Sequence, residues 1–148
     1  MAKFVFKLAN ILEVKRKLED QEKGAYAEAL ERLRLEEEKQ EALEHKKEGY
    51  KKQLAEQMTA RLDVELIRQL EDAVEITKYR IREQMIRVQD AQIKAERCRQ
   101  ALQAAMVERK TYEKLEEKAF EEFKLEINAQ EKKEVDELVS YRSGISSS

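Results

Sequence analysis

Between residues 74 and 105 an unbroken alternation of four- and three-residue steps runs along the chain: Val74, Thr77, Ile81, Gln84, Val88, Ala91, Ala95, Cys98, Leu102, Ala105. Eight of these ten positions are apolar or cysteine. Residues three and four apart share one face of a helix, and a strict seven-residue repeat asks for a partner helix along that face. No proline occurs in the 148 residues, so nothing compels a break in a long helix. The pattern describes a rod whose function lies in what its faces and ends touch.

Composition narrows the choice further. Charged residues make up 42% of the chain against 6% aromatics, and the abundant residues are good helix formers. An apolar content of 41% suffices for a stripe but is thin for a thick core. A seam between two helices leaves little room for a substrate pocket. The net charge of −2 gives no general attraction to nucleic acid or to acidic membranes. The single Cys98 falls on the repeat and reads as a small apolar seam residue, at home in a reducing compartment. No stretch approaches the ~18 consecutive apolar residues of a membrane span. The apolar run from Phe4 to Leu12 is interrupted by Lys7 and is too short for a secretory signal.

The expected fold is all-α, a long two-helix antiparallel coiled-coil hairpin. Asn10, with Glu13 three residues on, reads as the cap of helix one. Ile11, Val14, Leu18, Ala25, Ala29, Leu33, Leu43, Tyr50, Leu54 and Met58 fall near one face, while Gln40 and Lys47 occupy places a seam would rather fill with apolar groups. Gly24 and Gly49 read as tolerated soft points, with a hinge as the alternative. Thr59 and Asp63 are the only cap-type residues near the change of phase, so the bend is expected at about residues 58–63. Helix one then spans about 10–58 and helix two about 64–139. Residues 1–139 form a single hairpin domain, and residues 140–148, which hold every serine of the chain, form a flexible tail.

Charge supports the fold-back. Residues 1–18 carry a net +4, 19–58 a net −4, 78–110 a net +5 and 113–137 a net −5. A bend near residue 61 lays acidic against basic stretches in both halves, a pattern that selects orientation and register. It also brings Phe4 and Phe6 towards Tyr112, Phe120 and Phe123, where the two ends of the hairpin meet. Helix two should overhang helix one by roughly 20 residues, about 30 Å.

The chemistry of catalysis is missing from the sequence. His45 is the only histidine and sits in a solvated charged run. No serine precedes residue 140, and no glycine-rich loop exists to hold phosphates. No enzyme activity, cofactor or metal site is expected. The cations of residues 78–110 are spread around the helix among acids, so no nucleic-acid interface is expected either. One surface does stand out: Tyr79, Ile86 and Ile93 recur at seven-residue spacing opposite the seam, with Val107 two heptads on. An aligned exposed stripe reads as a contact site, for a partner or for weak self-association.

The opening Phe4-x-Phe6-x-Leu8-x-x-x-Leu12 and the closing Gln130-Glu-Lys132-Lys133-x-x-Asp136-Glu137-Leu138 resemble the two ends of the flagellar FliJ family. Length, the proline-free hairpin and the bend position are similar too, so the resemblance covers essentially the whole chain. It implies a role in flagellar type III export as a coiled coil resembling the central stalk of rotary ATPases. The paired termini of such proteins enter a hexameric export ATPase ring and promote its assembly. Here that implies ring contacts at Phe4, Phe6, Phe120, Phe123, Lys132, Lys133, Asp136 and Glu137.

The family also contacts the cytosolic domain of the membrane export gate and binds export chaperones. Gate contact is implied for Leu43, Tyr50, Leu70 and Ala73, whereas Lys39, Lys46, Leu66 and Thr77 depart from the family's residue types, and Leu70 also continues the seam. The implied location is cytoplasmic, peripheral to the inner-membrane export apparatus, with no direct membrane span. A rod of about 76 helical residues, roughly 110 Å, is long enough to link a ring to a separate membrane component. Three alternatives remain open: a related stalk of virulence-type secretion, a helical-hairpin nucleic-acid-binding arm, and a generic coiled-coil scaffold.

Overall fold

The computed structural model describes residues 2–59 and 63–146. Two long α-helices account for nearly all of them: α1, Ala9–Thr59, and α2, Val64–Ser146. They pack against each other as an all-α hairpin, with Phe4 against Phe120 and Lys15 against Glu108, so the segments run antiparallel. The centre of the expected bend, residues 60–62, lies outside the described residues. Its two shoulders behave as cap-type residues should. The Thr59 hydroxyl donates back to the carbonyl of Glu56 at 3.1 Å as α1 ends. The Asp63 carboxylate accepts the backbone N–H groups of Glu65 and Leu66, each at 3.2 Å, and so caps α2.

Two local expectations change, and the reading of the glycines as tolerated holds. Asn10 is not the cap of α1: the Leu12 N–H already bonds the Leu8 carbonyl at 2.9 Å, which puts Leu8 at the cap and Asn10 inside the first turn. The extended apolar segment before Leu8 rests on α2, and that packing sets where the helix begins. Gly24 and Gly49 lie within the continuous α1 with helical backbone and open space where a Cβ would stand. At its far end α2 continues beyond Val139 to Ser146, since no proline interrupts it and one glycine costs a helix only about 1 kcal/mol.

The chain divides into two compact units, one from Gln21 to Leu102 and one from the residues up to Asp20 together with those from Gln103 onward. In the central unit the α2 repeat is buried as expected. Val74, Thr77, Ile81, Gln84, Val88, Ala91 and Ala95 are inside, and Cys98 and Leu102 are half-buried. Leu70 extends the same row one step towards the bend. Thr77 is tolerated there because its hydroxyl donates to the Ala73 carbonyl at 2.7 Å.

The α1 side overturns part of the sequence reading. Its inward row is Glu22, Tyr26, Ala29, Leu33, Glu36, Gln40, Leu43, Lys47, Tyr50, Leu54 and Gln57, a regular repeat of three- and four-residue steps in which half the positions are polar. Ala25 and Met58, expected on this face, are exposed. Gln40 and Lys47 are on the seam after all, half-buried, and Gln40 lies beside Val88. One layer is wholly polar: buried Gln84 donates to both the backbone carbonyl of Glu36, at 2.9 Å, and its carboxylate. That bond, aided by Lys39, Arg87 and Arg32, holds the Glu36 carboxyl below the usual carboxylate range. Among the described residues no buried side-chain nitrogen or oxygen lacks a partner.

Candidate functional site

The terminal unit continues the α2 repeat with different chemistry. After buried Ala105 the inward positions are Arg109, Tyr112, Glu116, Ala119, Phe123 and Ile127. On the α1 side they are Leu12, only 1% exposed, then Lys15 and buried Glu19. Ile11, Val14 and Leu18, expected on the seam, are exposed instead. The true row is offset by one residue because it must meet cations and acids of α2. Arg109 makes the central contact, bonding the buried Glu19 carboxylate and, at 2.9 Å, Glu113. Lys15 reaches Glu108 at 2.8 Å, and Arg16 reaches Glu113 at 3.5 Å. A carboxylate buried like Glu19 is tolerable only when paired and hydrogen-bonded.

Past this ionic layer the chain ends in aromatics. The Phe4 ring meets Phe120 edge-on, centroids 5.2 Å apart, and Phe123 at 5.5 Å. Both arrangements suit the ring quadrupoles. Lys124 stands over the outer face of Phe120 at 5.0 Å. Phe6 and Leu8 join Phe4, Leu115, Ala119 and Phe123 around an open groove of about 720 Å³, edged by Lys7, Lys118, Glu122 and Glu126. Tyr112 departs from the expected cluster: it lies further along, under the Lys15 ammonium at 5.9 Å. The N-terminal segment reaches along α2, with Ala2 beside Ile127, Gln130 and Glu134. Lys132, Lys133, Asp136 and Glu137 lie on the exposed final stretch, together with exposed Val135, Leu138, Val139 and Tyr141.

The groove is lined by apolar side chains with charged ones at its edge, and Phe120 is 42% exposed. Among the described residues no three His, Cys, Asp or Glu side chains are grouped to hold a metal ion. No helix among them is long and apolar enough to cross a membrane. The model of the flagellar FliJ protein family matches residues 4–146, nearly the whole chain. The chain belongs to the FliJ family. It is thus related to flagellar export, and both ends that carry the resemblance lie within the matched span. No curated protein and no solved structure gives a significant match.

The residues expected at a gate contact from the resemblance are not equally available. Leu70 is buried in the seam, whereas Leu43, Tyr50 and Ala73 are half-buried and keep part of their surface in solvent. Tyr79, Ile86 and Ile93 stand exposed on the outer side of α2, as expected. Lys15, Glu19 and Arg109 were not singled out from the sequence, and Leu12 only as part of the opening motif. Their signal was present: the α2 steps run on from Ala105 through Arg109, so a cation had to sit in the seam and an acid had to meet it.

Proposed function

We propose that the chain is a non-catalytic stalk of flagellar export whose aromatic terminal end binds the hexameric export ATPase and promotes ring assembly. Residues 1–139 act as one hairpin. The face near the bend, through Leu43, Tyr50 and Ala73 with Leu70 behind them, contacts the cytosolic domain of the export gate. Export chaperones bind the same protein, in the cytoplasm at the inner-membrane export apparatus. What supports this reading most is the packed cluster of Phe4, Phe120 and Phe123 at the end the family uses for its ring. Lys132, Lys133, Asp136 and Glu137 add charged contacts around the apolar anchor. The test is direct binding of the purified ATPase to the Phe4→Ala/Phe120→Ala chain. The proposal expects at least tenfold weaker binding with helicity unchanged; wild-type affinity in that variant would reject this end as the grip.

A further inference from the structure

The outer face of α2 is complementary to itself. Taking Ile86 as centre, Tyr79 and Ile93 lie seven residues to either side, Arg82 and Asp90 four, and Glu75 and Arg97 eleven. At 100° per residue all six fall within about 40° of Ile86 around the helix. All are exposed, Ile86 by 60%. Each acid is therefore matched by a base at the mirrored distance, and each apolar residue by another.

We infer that this face is a twofold contact between two copies of the chain, with their α2 helices antiparallel and crossing at Ile86. A twofold axis makes the same patch serve both partners, so every favourable pair occurs twice. Ile86 then meets its own copy, and Tyr79 meets Ile93. Arg82 comes level with Asp90 across the contact, within an arginine's reach, and Glu75 with Arg97. A parallel arrangement would instead set Arg82 against Arg82 and Asp90 against Asp90. Arg82 is already extended along the stripe, its guanidinium 6.0 Å from the Tyr79 ring. Glu75 is held by Lys78 at 3.3 Å on its own helix, so the Arg82 and Asp90 pair is the more decisive of the two. Three apolar side chains per copy bury far less than the ~1,200 Å² typical of stable complexes, so the dimer is transient and forms at high local concentration.

The test uses the full chain alone, in a Cys98→Ala background. With Ile86→Cys added, a short bis-maleimide should join two copies efficiently at concentrations where sedimentation shows dimer. With Glu75→Cys it should not, because those sites would lie about 33 Å apart at 1.5 Å per residue. By sedimentation equilibrium, Arg82→Asp and Asp90→Arg should each weaken the dimer about tenfold, since each reverses two symmetry-related pairs. The double variant should recover to within about threefold of wild type by the same reckoning. A chain that stays monomeric throughout would overturn the inference. So would a dimer indifferent to the single reversals, one that the double variant fails to restore, or equal crosslinking at both cysteine positions.

Discussion

The central and terminal units are built on the same step of three and four residues and fill it with different chemistry. In the central unit small and branched side chains, Val74, Ile81, Val88, Ala91 and Ala95, close the α2 side, with the single Gln84–Glu36 layer across it. In the terminal unit the row carries Arg109 with Glu19 and ends in Phe4, Phe120 and Phe123. The central seam holds the helices together mainly through the apolar row of α2. The terminal one gives up apolar burial for ion pairs and keeps aromatic surface half in water, the trade that the proposed ring contact requires.

The largest effect should come from charging the central seam. Val88 is only 8% exposed, and Val88→Asp, which buries a carboxylate in the seam, should cost about 3 kcal/mol or more. Met85→Asp on the exposed side should stay within about 0.5 kcal/mol, so thermal melts followed by circular dichroism separate the two. Equal melting would mean that the seam does not lie where Val88 is. In the terminal unit the corresponding break is Arg109→Ala, which removes the guanidinium that bonds the Glu19 and Glu113 carboxylates. Its melting temperature should fall between those of the two variants above, because Arg109 lies at the half-open edge of the seam, where water can reach the carboxylates it leaves.

A smaller gain is expected in α1 of the central unit. Gly49 has room for a Cβ and a helical backbone, so Gly49→Ala should stabilise by about 0.5–1 kcal/mol. A loss instead would show that Gly49 does serve as a hinge.

The smallest effect concerns pH. Gln84 and nearby cations hold the Glu36 carboxyl below its unfolded range. Its contribution is therefore complete above the unfolded carboxylate pKa and is lost as pH falls through the lower folded value. Melting temperatures of wild type should fall more steeply with acid than those of Glu36→Gln; parallel curves would remove Glu36 from the account.

How far the sequence could be read differs between the helices for a physical reason. On α2 the seam residues Val74, Ile81 and Val88 are apolar and the solvent side is mostly charged, so periodicity alone finds the face. On α1 the seam holds Lys15, Glu19, Glu22, Glu36, Gln40 and Lys47, while Ile11, Val14 and Leu18 stand outside it. Hydrophobicity there points one residue off the true row. What decides the phase is the partner: Arg109 and Gln84 select acids across the seam, information that no local window on α1 contains. The aromatic end was legible because a bend near residue 61 brings Phe4 to Phe120 and Phe123 whatever the exact register. The groove beside Phe6 and the displacement of Tyr112 to Lys15 depend on register and were not legible. Export as a function came from the likeness of the two ends to one family, and nothing in spacing or composition names it.

The central claim is that the terminal aromatic end and the face near the bend have separate jobs. The most direct measurement crosses two variants with two activities: stimulation of the export ATPase, and binding to the cytosolic domain of the export gate. The first variant lacks residues 124–148; the second carries Tyr50→Ala with Ala73→Glu. The account predicts that the truncation abolishes stimulation and spares gate binding, and that the second variant does the reverse, with both chains still helical. The opposite pattern, or loss of both activities in either folded variant, would contradict it.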